Sequence, residues 1–280
     1  MYNRHGIVVR ILYLVVALLW WCGTSFGRAY RGRVVILCYH SVKPYQAARC
    51  AWQVQRVAGR AIGVSDLTSD RAPRQVTTAV CFTFDDAFAN LLDNALPMLR
   101  DCGAPACVFA VPENLGNRPG WGVEPNYSDA AEQVMTADQV RQAVAGGLCV
   151  LGSHTCTHPD LTELPMATVA EELKESRRKL TGLVGQPIDD LALPYGSFTP
   201  GVLDAAFAAG YTRVYTLEPT PHTPSGNRQV IGRFLMSPDA WRIEFLLTCE
   251  GAYSWLHPWR RLLHRLRGTR ETAAQRRCLA

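Results

Sequence analysis

The chain has 280 residues, 48% hydrophobic and 19% charged, enough to bury one substantial core and unlike a disordered or low-complexity protein. Its formal charge of +5 is small and is carried by arginines near the two ends. No basic stripe is interleaved with aromatics, which argues against nucleic-acid binding. The ten cysteines include no Cys-x-x-Cys pair, and Cys38, Cys81, Cys107 and Cys149 sit in apolar runs where a free thiol behaves as a small hydrophobe. They read as reduced core residues and favour a reducing compartment, although the even count leaves a disulfide framework open.

Residues 7–26 are apolar except for Arg10, a length that suits a bilayer span. Arg28, Arg31 and Arg33 outnumber Arg4 and Arg10, which tilts the orientation toward a cytoplasmic catalytic domain. The expectation is a single-pass, membrane-associated protein with an N-terminal hydrophobic helix and basic linker over residues 1–30. A cleaved signal peptide and an interfacial or core-docked helix stay open as alternatives. Beyond the linker, short continuous apolar runs predict buried strands at 34–39, 79–84, 107–111, 148–152, 191–195 and 213–217, with a weaker one at 61–67. Helical segments are predicted at 88–100, 137–146, 166–183 and 200–209, with Gly103 and Gly210 as stops for the first and last. Such alternation implies an α/β fold with a mainly parallel sheet or barrel, here spanning 31–250. The segment from Trp255 to Arg267 has Trp255, Trp259, Leu262, Leu263 and Leu266 at helical spacing among arginines. It makes residues 251–280 a basic amphipathic tail, lying on an anionic leaflet or docked on the domain.

His40, Asp85 with Asp86, His154 with His158, and Tyr195 each follow the end of a predicted strand, and in a parallel barrel those ends meet at one mouth. If the segment after its strand turns helically, His154 and His158 project to one side and can share a metal with Asp86. Three protein ligands with open positions describe a catalytic centre. The plainer alternatives are two surface histidines and an Asp pair capping a helix. Asp85, facing another way, is then available as a general base, or else orients a ligand. At its strand end Arg233 is placed to touch substrate or base, with a solvated or salt-bridged residue as the plainer reading, and Trp121 and Trp241 read as core residues or sugar-stacking surfaces.

Thr83-Phe84-Asp85-Asp86, Ser153-His154-x-x-x-His158 and Leu193-Pro194-Tyr195-Gly196 resemble, in order, the first three motifs of the NodB-homology polysaccharide deacetylases, carbohydrate esterase family 4. The resemblance implies a deformed (β/α) barrel and a divalent ion, usually zinc, held by Asp86, His154 and His158. It also implies Asp85 as catalytic base and the Tyr195 backbone N–H as oxyanion donor. No convincing copy of the family's late Leu-x-His motif is present. Instead Leu37-Cys38-Tyr39-His40 resembles the N-terminal Tyr-His segment of the poly-N-acetylglucosamine deacetylase branch, which gives His40 the acid role. Ala87 stands where the family usually has glycine, and Ala192 where many members have an arginine that pairs with the base. The implied function is removal of N-acetyl groups from an N-acetylated polysaccharide or lipid-linked glycan, with a membrane partner through residues 7–26 and the basic tail. An inactive glycan-binding or assembly module is the alternative, and nothing in the sequence sets the oligomeric state.

Overall fold

The structure is a computed structural model and describes residues 6–24, 26–68, 78–121, 129–224 and 226–258. Eight strands run parallel in one sheet: β1 (Val34–Tyr39), β2 (Ala79–Phe84), β3 (Ala106–Ala110), β4 (Cys149–Ser153), β5 (Asp190–Ala192), β6 (Arg213–Tyr215), β7 (Gln229–Ile231) and β8 (Phe234–Leu235). Their order is β7-β6-β5-β4-β3-β2-β1-β8. β1 and β2 are buried along their whole length, as strands covered on both faces must be, and this is why they read as continuous apolar runs.

β7 and β8 lie at opposite ends of the strand order, yet only Gly232 and Arg233 separate them in the chain. Three residue steps reach at most about 11 Å, so the two edges of the sheet stand that close. The sheet is therefore a curled barrel that lacks a hydrogen-bonded ladder only along one seam. Gly232 is obligatory there, because a Cβ would collide with the Glu218 carbonyl oxygen and Thr220 Oγ1.

Side chains alternate across a strand, so the curl has a lining and an outer face. Val34, Ile36, Ala79, Cys81, Cys107, Phe109, Ala192, Tyr215 and Ile231 belong to a buried cluster that contains no α-helical residue; this is the lining. The larger cluster joins the outer face to the helices. Continuing the lining's period of two upward leads to Cys38 and His40 on β1 and to Thr83 and Asp85 on β2. The register sets Cys38 opposite Thr83 and Tyr39 opposite Phe84, so His40 and Asp85 leave neighbouring strands at the same level.

The helices are α1 (Ile7–Gly23), α2 (Ala47–Val57), α3 (Leu91–Asn94), α4 (Leu96–Asp101), α5 (Ala137–Val144), α6 (Met166–Val184), α7 (Pro200–Ala208) and α8 (Arg242–Cys249). The helix expected over 88–100 is broken at Ala95, whose φ of −130° precedes Pro97 in the first turn of α4. The weak strand expected at 61–67 is one bridge from Ala61 to Val80 and a 3-10 turn at Val64–Asp66. All nine cysteines within the described residues are free thiols, and seven are buried.

The membrane-spanning reading of residues 7–26 is corrected. At about 1.5 Å per residue the 17 residues of α1 reach about 26 Å, less than the roughly 30 Å hydrocarbon core. No helix among the described residues is long and apolar enough to cross a membrane. α1 instead packs on α8 and on the 3-10 helix Ala252–Trp255. Arg10 forks onto Glu244 at 2.7 and 2.6 Å, so the one charge in the run is paired with protein. Arg4 and residues 259–280, on which the flank and tail readings partly rest, lie outside the described residues.

Candidate active site

Asp85 leaves β2 into the mouth of the barrel and is met there by Arg233 from the seam. The guanidinium donates to Oδ1 at 2.6 Å and to Oδ2 at 2.8 Å. Arg233 is fully buried, and its remaining donors reach the Thr216 carbonyl at 3.4 Å and Thr83 Oγ1 at 3.3 Å. Cys38 Sγ adds a thiol donor to Asp85 Oδ2 at 3.3 Å. Burial alone would raise the proton affinity of Asp85, but Arg233, by charge and by hydrogen bonding, overcomes it and holds the carboxyl far below the usual range. Arg233 is pushed upward by the same pairing against its own burial. Arg233 is thus salt-bridged at its strand end and touches the carboxylate expected as the base, from full burial and not from solvent, and it supplies the cation that Ala192 cannot.

His40 is half-buried, and one of its ring nitrogens lies within 4.8 Å of a carboxylate oxygen of Asp85 and of Cys38 Sγ. Burial pulls its proton affinity down, while Asp85 and Asp129 pull it up. The loop that carries it is fixed by Ser41, whose hydroxyl donates to Asp129 at 2.5 Å. His222 bridges to Val34 at the opposite end of β1 and contacts Gln229 at 2.6 Å, while His257 sits 3.8 Å from Glu218. Among the described histidines, these two are the ones that take no part in the mouth.

One residue beyond Asp85 the surroundings change. Asp86 Oδ1 lies 3.7 Å from His154 Nε2 and 3.6 Å from His158 Nε2, too far for a hydrogen bond. It has no hydrogen-bond partner among the described residues, and neither has His158 Nδ1, although both atoms are buried. Burial, then Asp85 and Asp129, push the Asp86 carboxyl well above its usual range. Burial pulls His154 down to about 4, against Asp85 and a hydrogen bond to the Ala192 carbonyl. His158 is pulled well below the ordinary histidine value by burial and by His154. The contact of His154 Nδ1 with the Ala192 carbonyl at 2.8 Å makes that nitrogen the donor and leaves Nε2 as a lone pair facing Asp86. A carboxylate and two neutral imidazoles therefore converge with acceptors and no donor. That set fits a divalent cation, and the separations match two ligands each about 2.1 Å from one tetrahedral ion.

The two histidines do not share a helical face. Thr155 and His158 have φ of 65° and 64°, and the loop is held open by side chains. Ser153 Oγ accepts from Thr155 N–H at 3.2 Å, and Thr155 Oγ1 from His158 N–H at 3.1 Å. From α6, Glu172 accepts from the N–H groups of Cys156 and Thr157 at 2.9 and 3.0 Å, and from the Thr157 hydroxyl at 2.8 Å. Asp86 and Ala87 (φ 67° and 49°) and Tyr195 (φ 59°) are also left-handed. Six non-glycine residues adopt this conformation among the described residues, and five stand in these three loops.

Two aromatic rings wall the second histidine. Trp121 stacks on His158 with centroids 4.5 Å apart and planes 24° apart, and Tyr195 meets it edge-on at 5.0 Å. Tyr195 lies in the 3-10 turn Pro194–Gly196 after β5. Trp241 is remote and lies under Arg10. The mouth thus gathers His40, Asp85, Asp86, His154, His158 and Tyr195, all read from the sequence, together with Cys38, Arg233, Glu172 and Trp121. Cys38 read from the sequence as a core thiol and Arg233 as a strand-end residue whose partner lies 148 residues away, while Glu172, 15 and 16 residues from the groups it holds, gave no signal.

Comparison with known proteins agrees with this geometry. The solved structure of IcaB from Ammonifex degensii superposes with a TM-score of 0.62 at 24% identity, covering 78% of this chain and 97% of that one. In sequence, the YxkH protein of Bacillus subtilis is 24% identical over 61% of this chain and 56% of its own length. The Staphylococcus aureus poly-β-1,6-N-acetyl-D-glucosamine N-deacetylase is 25% identical over 58% of this chain and 56% of its own length. The chain thus spans about half the length of the curated relatives it matches. The family model for polysaccharide deacetylase matches residues 73–214, just over half of the chain and the stretch that carries Asp85, Asp86, His154, His158 and Tyr195. On that match, and with the fold shared with IcaB, this chain belongs to the polysaccharide deacetylase family.

Proposed function

We propose that the protein is a metal-dependent hydrolase that removes N-acetyl groups from an N-acetylated polysaccharide or lipid-linked glycan. The observation that carries the reading is the buried, partnerless Asp86 Oδ1 facing two imidazole lone pairs, one residue from a carboxylate held ionised. Asp86, His154 and His158 would hold the ion, and a two-histidine, one-carboxylate set suits zinc. When bound, such an ion supplies Lewis acidity, lowering the pKa of a water and polarising an acyl carbonyl.

The chain's own groups do the rest. Asp85, oriented by the Arg233 fork, would accept the proton of the attacking water. His40, on the β1 side, donates a proton to the departing amine, which is a poor leaving group until protonated. Burial lowers the proton affinity of His40 overall, and Asp85 and Asp129 work against that on the side of the charged form. The backbone N–H of Tyr195 is assigned to the oxyanion, where a donor fixed in a tight turn needs no reorganisation. Trp121 and Tyr195 keep water from the outer side of His158.

The test is amine release from N-acetylglucosamine oligomers, β-1,6- and β-1,4-linked, by protein stripped with a chelator and then reloaded. Stripping should abolish release, zinc should restore it, and Asp85→Asn should slow it by about 10²–10⁴-fold. Unchanged release after stripping, or full activity of Asp85→Asn, sinks the reading. Metal binding with no release from any oligomer points to a glycan-binding module.

A further inference from the structure

α1 is apolar on every side, and only one side has a protein partner. Its inner face is fixed by Arg10 on Glu244, by Tyr13 edge-on to Trp255 at 5.5 Å, and by Trp20 Nε1, which donates to Tyr30 Oη at 2.9 Å and Ser254 Oγ at 3.1 Å. With Ala17 buried against the domain, the opposite face is turned outward. Val8, Ile11, Leu12, Val15 and Leu19 are 75, 48, 58, 46 and 68% exposed. Their spacing by three and four places them in one stripe along the helix. A contiguous apolar stripe of this kind marks an interaction surface and not a solvated one.

The charge around the stripe says what covers it. Beyond the half-exposed Trp20 and exposed Phe26, the chain presents Arg28, Arg31 and Arg33 to solvent. No acidic residue occurs in the sequence before Asp66, so the whole N-terminal stretch carries cations only. Apolar side chains and a one-signed basic flank are complementary to an anionic lipid surface. A second copy of this chain would instead bring the same arginines together at the interface. We propose that the outer face of α1 docks in the headgroup region of an anionic bilayer, with the helix lying in the membrane plane and its inner face kept on the domain. The Arg10 end of α1 reaches Asp239, which Gln46 of the loop after β1 also holds, while the other end leads into the start of β1. α1 therefore runs alongside the strands, and the barrel mouth would open along the membrane surface. The docking does not depend on the catalytic assignment.

The experiment is co-sedimentation of the full chain with phosphatidylcholine vesicles, with and without a quarter of phosphatidylglycerol. Circular dichroism and thermal melting check that each variant is folded. The wild-type protein should bind the anionic vesicles at least about 10-fold more tightly than the neutral ones, and alkaline carbonate should release it. The double substitution Leu12→Glu/Leu19→Glu should lower binding by at least 10-fold, and Arg28→Glu/Arg31→Glu should remove the preference for anionic lipid. The proposal is overturned if the wild type stays in the supernatant, or if carbonate fails to release it. Binding that survives Leu12→Glu/Leu19→Glu overturns it too, by placing the contact elsewhere. A concentration-dependent dimer that those substitutions abolish, without vesicle binding, assigns the face to a second copy.

Discussion

On the seam side of the mouth, Asp85 receives both arms of a buried guanidinium and a thiol. On the β4 side, one residue later in the chain, Asp86 faces two imidazoles and Oδ1 has no donor within the described residues. The same side chain on the same turn is pushed in opposite directions, down at Asp85 and up at Asp86. The seam half is complete as a protein structure, so removing a member leaves a buried charge exposed to nothing. On the proposed reading the β4 half is completed by a cation, so protons compete with it and its supports should be felt first in metal affinity.

The largest effect is expected on the seam side. Arg233→Met should destabilise the protein by about 3–5 kcal/mol, because it strands the Asp85 carboxylate in the interior. Adding Asp85→Asn should recover much of that loss, since the unpaired charge goes with it. Urea unfolding of the two single variants and the double variant reads this directly. A cost below about 1 kcal/mol for Arg233→Met alone would break the contrast between the two halves.

On the β4 side the lever is pH. His154, with its folded-state value near 4, stays neutral where the unfolded chain's histidine, near about 6.5, takes a proton. Above about 6.5 both states are neutral and nothing is lost. Below it, only the unfolded state binds the proton, so stability falls as pH drops toward 4, by about 2–3 kcal/mol from this residue. His158 acts in the same direction, and Asp86, whose value is raised, opposes both. Chelator-treated protein should therefore unfold at lower urea at pH 5 than at pH 7.5, and His154→Gln should flatten the dependence. Proton competition for the metal through His154 should set in only as pH nears about 4, its folded-state value, whereas Asp86, whose value is raised, competes at higher pH.

Glu172 tests the support of that half. Glu172→Ala releases two backbone N–H groups and a hydroxyl in the loop between the histidines. It should weaken metal binding by about 10–100-fold, with Glu172→Gln in between. Competition with a chromophoric chelator measures this apart from turnover. A fall in melting temperature with unchanged affinity would make Glu172 part of the scaffold only.

The contrast also explains what could be read from the chain. β1 to β4 are runs of five or six largely buried residues, β5 and β6 are three-residue strands at the start of apolar stretches, and the strand-end residues were legible because a parallel barrel sends every such end to one mouth. β7 and β8, of three and two residues, are too short to show a period. Arg233 was visible at a strand end, but its partner is 148 residues away across a seam that only closure of the sheet creates. The spacing of His154 and His158 named two residues that do come together, but by another geometry than the one expected, since a clamped loop and not a helix brings them near each other. In α1, apolar content recorded a helix but not its partner, because Glu244 lies 234 residues beyond Arg10.

The smallest effect is expected where the two halves join, at Ala87. Its φ of 49° places an L-residue in the left-handed region, a strain of about 1–2 kcal/mol that glycine would not bear. Against that gain, Ala87→Gly deletes a fully buried methyl, worth about 0.8 kcal/mol, and adds about 0.5–1 kcal/mol of chain entropy to the unfolded state. These terms nearly cancel, so the urea midpoint should shift by less than about 1 kcal/mol, and metal affinity should hold because the turn itself is kept. A loss above about 1.5 kcal/mol would mean that the methyl packs the Asp86 turn in place; alanine would then support this metal loop through the core, where glycine leaves the support to the backbone.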